Sequence, residues 1–100
     1  MKVRELTAAI TELDEALTYY GAIQPRLAAA LLRDVHAAKR SIVRFPLAWK
    51  PLIGDMRSLA LRRFPYAVIY QTGLDEILIV AYAHLRRRPG YWRDRCSGRH

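Results

Sequence analysis

The apolar run from Ile77 to Ala83 constrains the fold of this chain more than any other feature, because none of its residues carries a charge. Aliphatic residues at both odd and even positions are typical of a strand that is buried on both faces, and such a strand lies inside a sheet. The run is followed at once by HLRRRPGYW, from His84 to Trp92. The sequence therefore predicts an interior strand that carries a histidine and three arginines to one end of the sheet, before a Pro-Gly turn.

Two amphipathic helices are predicted in the first half of the chain. Apolar residues recur at spacings of three and four after Thr7, a suitable N-cap, and this helix is expected to end near Gly21. The second helix should begin at Pro25, because proline is favoured in a first turn, and stop before Pro46. The connection is short, so the two helices should form a helical hairpin. The apolar stripes are Ile10, Leu13, Leu17 and Tyr20 in the first helix and Leu27, Leu31, Val35, Ala38 and Ile42 in the second.

Three further segments are predicted as strands from their β-favouring residues. They are Lys2–Leu6, as an edge strand, and the pair Met56–Arg63 and Tyr66–Gln71, beside the interior strand Glu76–Ala83. Helices in one block and strands in the next are typical of an α+β protein. We therefore expect a single domain over residues 1–100, with an N-terminal strand and a helical hairpin packed on a mostly antiparallel sheet of about four strands.

Charge is the most informative part of the composition. Basic residues outnumber acidic ones by 17 to 9, a net charge of +8, and 14 of the basic residues are arginine. The planar guanidinium fork suits bidentate binding of carboxylates and phosphates. The composition therefore favours an acidic protein surface or a nucleic acid as partner. The alternative is a basic surface that only keeps the chain soluble.

The single cysteine, Cys96, argues against a disulfide framework and a cysteine-based metal site. No segment approaches the roughly 20 apolar residues that a membrane helix needs. The first residues carry charges every few positions, unlike the apolar centre of a signal peptide. We therefore expect a cytoplasmic protein with no membrane association, no metal and no cofactor.

No phosphate-binding loop, zinc-binding motif or nucleophile in a recognisable setting occurs in the sequence. Glu12, Asp14 and Glu15 fall on the polar side of the first helix and are expected to form a solvated face. His84 has two interpretations, as a strand-end histidine bonded to backbone or as a catalytic group. Tyr91 and Trp92 similarly either cap the core or belong to the basic surface.

Four pieces of the sequence are informative through their order and spacing. They are the helix ITELDEALTYY, a proline-initiated helix that runs to IVRFP, the hairpin RRFPYAVIY, and the strand and tail AYAHLRRRPGYW. Together they resemble the RelE/ParE superfamily of bacterial toxins, especially the ParE-like branch of plasmid-stabilisation toxins, over nearly the whole chain. The resemblance implies this same α+β fold, a toxin of a type II toxin–antitoxin module and a cognate antitoxin as partner.

The superfamily divides by mechanism into ribosome-dependent mRNA endoribonucleases, which are RelE-like, and inhibitors of DNA gyrase, which are ParE-like. RNA cleavage without a metal needs groups that transfer protons and stabilise a phosphorane. RelE-like enzymes take them from lysines on the second strand, an arginine at the start of the third, and an arginine and a tyrosine after the last. In this chain Ser58 and Ala60 align with the lysines and Ala67 with the first arginine. The resemblance therefore favours gyrase inhibition.

Each mechanism has its own candidate residues. A ribonuclease that acts on ribosome-bound mRNA would use His84, Arg86 and Tyr91. In a gyrase inhibitor, the residues expected to contact the target are Arg62, Arg63, Arg86, Arg87, Arg88 and Trp92. A third hypothesis is a protein of this fold that binds an antitoxin-like partner and poisons nothing.

Overall fold

Five strands form one mixed sheet in the computed structural model, which describes residues 1–96. The spatial order of the strands is β1-β5-β4-β3-β2, with β1 parallel to β5 and the other neighbours antiparallel. The strands are β1 (Lys2–Glu5), β2 (Lys50–Pro51), β3 (Met56–Ala60), β4 (Tyr66–Gly73) and β5 (Glu76–His84), and the helices are α1 (Thr7–Ile23), α2 (Pro25–Arg44) and a 3-10 turn at Arg93–Arg95.

The predicted fold class is confirmed, and β1 is an edge strand as expected. The two-residue strand β2 lies in a segment predicted as loop, and it raises the number of strands to five. Strand β3 ends at Ala60 and not at Arg63, because the amide of Leu61 donates to the carbonyl oxygen of Tyr66 (2.8 Å) and closes the turn.

Helix α1 differs from its prediction at both ends. Leu6, and not Thr7, occupies the N-cap position, and the helix continues past Gly21 to Ile23. A Cβ added to Gly21 would lie 3.5 Å from the Cβ of Ala28, so this glycine lies where the two helices approach closely and does not end a helix. Ile10 is exposed, because Ala9 and Ala16 supply the buried contacts of α1.

Helix α2 follows its prediction closely. It begins at Pro25, ends at Arg44, and buries the predicted stripe through Leu31, Val35 and Ile42. Helix α1 packs against α2 and β5, and α2 also contacts β3. Both helices therefore cover one face of the sheet.

Strand β5 is interior and buried on both faces, as the apolar run predicts. Ile77 and Ile79 pack in the core below the helices, while Val80 and Ala81 pack in a second core. The pairing with β4 shifts between Ile79 and Ala81, so a bulge at Val80 turns two successive side chains toward the second core. That second core is completed by Trp92 and Cys96 from the C-terminal segment.

Candidate functional site

Two arginine-containing turns lie side by side at one end of the sheet. Tyr66, the first residue of β4, pairs with His84, the last residue of β5. Just beyond this pair, the amide of Leu85 donates to the carbonyl oxygen of Pro65 (2.9 Å). We call residues 61–65 the β3–β4 turn and residues 85–90 the C-terminal turn. The five arginines predicted to contact a target, namely Arg62, Arg63, Arg86, Arg87 and Arg88, all lie on these two turns.

The β3–β4 turn is held by a carboxylate from α2. Asp34 is buried, and its Oδ1 and Oδ2 accept the backbone N–H groups of Arg62 (3.3 Å) and Arg63 (2.9 Å). Phe64 packs edge-on against Tyr20 of α1, with ring centroids 5.0 Å apart. The turn is therefore attached to both helices, while its two arginine side chains are exposed to solvent.

The C-terminal turn is bonded to His84, the last residue of β5. The Nδ1 atom of His84 accepts the N–H of Arg86 (3.0 Å), and its carbonyl oxygen accepts the N–H of Arg87 (3.0 Å). Because Nδ1 is an acceptor, a neutral His84 ring carries its proton on Nε2. The ring also packs edge-on against Tyr66, with centroids 4.9 Å apart. Of the two interpretations of His84, the strand-end histidine bonded to backbone is the arrangement present in the structure.

Glu12 of α1 holds the rest of the C-terminal segment, so the prediction of a solvated carboxylate is wrong for this residue. Its side chain is 10% exposed. The carboxylate accepts the hydroxyl of Tyr91 (2.6 Å), two bonds from the guanidinium of Arg95 (3.0 Å each) and the backbone N–H of Tyr82 (3.0 Å). A guanidinium nitrogen of Arg87 lies 3.4 Å from a carboxylate oxygen of Glu12. These partners are distant in sequence, and no local pattern separates Glu12 from its exposed neighbours Asp14 and Glu15.

The environment of Tyr91 suits packing better than proton transfer. Burial raises the pKa of its hydroxyl, and the hydrogen bond to the Glu12 carboxylate raises the pKa further. The guanidinium carbon of Arg87 lies 3.8 Å from the centre of the Tyr91 ring, a cation–π contact. The hydroxyl is therefore a hydrogen-bond donor to Glu12 whose proton is retained at neutral pH.

Trp92 lies in the core and not on the basic surface. Trp92 is 8% exposed and belongs to the second core, on the face of the sheet that the helices do not cover. Gly90, just before it, has a φ of +81°, and a Cβ there would lie 2.8 Å from a guanidinium nitrogen of Arg93. Glycine therefore permits the turn that brings Trp92 into the second core. The sequence predicts that Trp92 contacts a target, but in this conformation its ring is buried and is not available to a partner.

The arginines of the two turns differ in how much of their charge is available. Within residues 1–96, Arg87 is paired with Glu12, whereas the side chains of Arg62, Arg63, Arg86 and Arg88 form no ion pair and no hydrogen bond. All five are exposed. Among the described residues, the free positive charge of the two turns is therefore carried by four arginines, two on each turn.

The three positions that align with ribonuclease residues lie on β3 and β4. Ala60 pairs with Ala67, and Ser58 pairs with Ile69 on the same two strands. Ala67 is buried, and neither alanine can transfer a proton or stabilise an anion through its side chain. The catalytic candidates His84 and Arg86 are brought together through a backbone hydrogen bond, while the hydroxyl of Tyr91 is bonded to Glu12.

An apolar trough lies between α2 and β3. Arg62 lines the trough. Three exposed arginines of α2, at spacings of seven and four, line neighbouring hollows that share Ala37 with the trough; they are Arg33, Arg40 and Arg44. The indole N–H of Trp49 donates to the carbonyl oxygen of Ser41 (3.3 Å), which fixes the ring in the wall. The apolar lining consists of Ala37, Ala38, Trp49, Leu59, Ala60 and Leu61.

Neither a membrane helix nor a metal-ligand cluster occurs in the part of the chain that the structure describes. No helix within residues 1–96 combines the length and apolar character needed to cross a bilayer. The same residues contain no group of three or more histidine, cysteine, aspartate or glutamate side chains placed to bind a metal ion.

A solved structure shares this fold along most of the chain. It is described as a chromosomal ParDE TA system from P. aeruginosa, and one of its chains aligns with a TM-score of 0.73 and 21% sequence identity. The alignment covers 86% of this chain and 97% of that chain. No protein-family model and no curated protein matches the sequence. The likeness confirms the ParE-like fold that the sequence resemblance implies.

Proposed function

We propose that this chain is the toxin component of a type II toxin–antitoxin module, that it inhibits DNA gyrase, and that a cognate antitoxin neutralises it. The observation that carries the proposal is the structural likeness to a chain of a ParDE TA system, which extends over 86% of this chain. The sequence resemblance to ParE-like toxins, drawn from different features, supports the same class.

The chemistry of the basic end supports gyrase inhibition over RNA cleavage. Metal-free cleavage of RNA needs positioned proton donors and acceptors close to the phosphate. Ser58, Ala60 and Ala67 replace three of the expected groups, and the hydroxyl of Tyr91 is bonded to Glu12 with a raised pKa. The surface is therefore better suited to binding than to catalysis.

The target-binding surface consists of the four arginines whose side chains are free within residues 1–96. Arg62 and Arg63 come from one turn and Arg86 and Arg88 from the other, and the turns are joined by the bond between Leu85 and Pro65. Guanidinium groups on a rigid edge can form paired hydrogen bonds with carboxylates. The partner is an acidic surface of the target protein.

The antitoxin is proposed to bind the trough between α2 and β3. The trough is apolar and arginines line it and the hollows beside it, so the complementary segment is apolar on one side and acidic on the other. One face of α2 carries Arg33, Arg40 and Arg44. An antitoxin helix with acidic residues at the same spacing could pair with them. A nucleic acid backbone would leave Trp49 and Leu59 uncovered, which favours a protein.

Salt dependence tests the charge complementarity of that complex. Electrostatic attraction acts on the encounter, whereas buried apolar contacts govern the lifetime of the complex. We expect added salt to lower the association rate of toxin and antitoxin more than it raises the dissociation rate, as measured by surface plasmon resonance. A salt dependence carried mainly by the dissociation rate would contradict this account.

Two assays on the same purified toxin separate the mechanisms. A gyrase inhibitor blocks supercoiling of a relaxed plasmid and leaves mRNA intact in a translation reaction. A ribonuclease produces new 5′ ends that primer extension detects, and it leaves supercoiling unchanged. Growth arrest on induction, relieved by co-expression of the protein encoded beside the toxin, tests the toxin–antitoxin class itself. If no growth arrest occurs, the chain is not a toxin.

A further inference from the structure

Asp34 is a charged residue on the buried face of α2. Its neighbours on that face are Leu31, Val35 and Ala38, and the residue is only 7% exposed. A buried carboxylate is costly unless its oxygens accept hydrogen bonds, and well-packed apolar residues often stabilise a fold as well as buried charges do. Packing alone therefore does not account for an aspartate at this position.

The two hydrogen bonds of Asp34 go to backbone and not to side chains. Each carboxylate oxygen accepts one amide, from Arg62 at 3.3 Å and from Arg63 at 2.9 Å. Arg62 and Arg63 are exposed residues, whereas their two amide–carboxylate bonds are partly buried. The bonds satisfy the amides and the carboxylate together, and they fix the direction of the backbone at both arginines.

We propose that Asp34 is a positioning residue, which holds the backbone of Arg62 and Arg63 so that both guanidinium groups are presented to the target in a fixed arrangement. The inference rests on the proposed function, in which these arginines contact the target. A turn that is ordered before binding loses less conformational entropy when the complex forms. Asp34 touches no target and acts only through the two arginines.

The test is a double-mutant cycle between Asp34→Asn and the pair Arg62→Ala/Arg63→Ala. Asparagine keeps the shape of the side chain but replaces one acceptor oxygen by an NH₂ group that faces an amide donor. The quantity measured is the intracellular toxin level that halves colony formation, set by graded induction and quantified in the soluble fraction. We expect Asp34→Asn to raise this level about tenfold in the parent protein and less than about twofold in the Arg62→Ala/Arg63→Ala background. The second effect should be small because Asp34 then has no arginine side chains left to position, and the effects of residues in contact do not add.

A matched control separates positioning from charge. Asp14→Asn makes the same change of net charge at an exposed position of α1, and it should leave toxicity unchanged. Hydrogen exchange of the Arg62 and Arg63 amides, measured by NMR, reports the order of the turn directly. Exchange should accelerate in Asp34→Asn and not in Asp14→Asn, while thermal unfolding shows that both variants are folded.

Two results would overturn the proposal. One is an equal loss of toxicity from Asp34→Asn in both backgrounds, which would mean that Asp34 acts through general stability. The other is unchanged amide exchange at Arg62 and Arg63. A parent protein that does not arrest growth overturns the proposed function instead, and amide exchange then still decides whether Asp34 orders the turn.

Discussion

The two arginine turns at the basic end of the sheet are held by helix carboxylates in opposite ways. Asp34 of α2 accepts the backbone amides of the β3–β4 turn. Glu12 of α1 accepts the side chains of Tyr91 and Arg95 in the C-terminal segment and one backbone amide, that of Tyr82, and Arg87 lies 3.4 Å from its carboxylate. Asp34 therefore leaves the guanidinium charges of its turn free, whereas Glu12 pairs with the guanidinium groups of Arg95 and Arg87.

Consecutive arginines in the sequence therefore have different roles in the fold. Arg87 lies between Arg86 and Arg88, yet its guanidinium contacts Tyr91 and Glu12 within the fold. Its two neighbours have no such partner among residues 1–96. Function and stability should therefore separate within the three consecutive arginines, and four predictions examine that separation.

The largest effect is expected on growth arrest. Arg62→Ala/Arg63→Ala and Arg86→Ala/Arg88→Ala should each raise the toxin level needed for growth arrest by about tenfold or more, because both pairs belong to the binding surface. Exposed charges change stability by no more than about 0.5 kcal/mol, so both proteins should stay folded. The control pair Arg26→Ala/Lys50→Ala lowers the net charge from +8 equally and should remain toxic. Full toxicity of both arginine pairs would place the target site elsewhere.

Removal of Glu12 should have the largest effect on stability. Glu12→Ala leaves Arg95 partly buried without its carboxylate, and breaking a buried pair costs about 3 kcal/mol or more. Urea unfolding measures the loss, and Glu15→Ala, an exposed residue one turn along α1, is the control with an expected change below about 0.5 kcal/mol. Equal stability of the two variants would contradict the contrast between the turns.

Tyr91→Phe should lower the folding stability by an intermediate amount. A hydrogen bond to a charged group contributes about 1.5 kcal/mol, and the ring itself is retained. The folded-state pKa of Tyr91 is raised, first by burial and then by Glu12, so its stabilising contribution is complete below the unfolded pKa and is lost as the pH rises above about 10. The parent should therefore lose more stability than Tyr91→Phe between pH 9 and about 11. Parallel stability curves for the two proteins would contradict this prediction.

Arg87→Ala should have the smallest effect on stability and leave toxicity unchanged. The cation–π contact with Tyr91 contributes about 1 kcal/mol at a partly exposed site. Arg62→Ala, which removes an equally charged side chain with no hydrogen bond or ion pair among the described residues, should cost less than about 0.5 kcal/mol. Thermal unfolding of the two variants gives the comparison. A strong loss of toxicity from Arg87→Ala would show that its charge serves the target as well.

Much of the fold follows from local sequence patterns. The apolar run predicts the interior strand, the stripe from Leu27 to Ile42 predicts α2, and Pro25 marks where that helix begins. Periodicity is a property of neighbouring residues, and it is visible without knowledge of the rest of the chain. The same local reasoning fails at Gly21, which the sequence marks as a helix end, because α1 continues to Ile23 and Gly21 faces Ala28 of the second helix.

The sequence by itself determined the α+β class, the order of the elements and the concentration of arginines after β5. Only the tertiary structure decided which charges are free, because that depends on contacts between residues far apart in the chain. Glu12 meets Arg95, and Asp34 meets the amides of Arg62 and Arg63, through the packing of both helices on the sheet. A buried carboxylate and an exposed one have the same local pattern, and they differ physically in the donors that the fold brings to them.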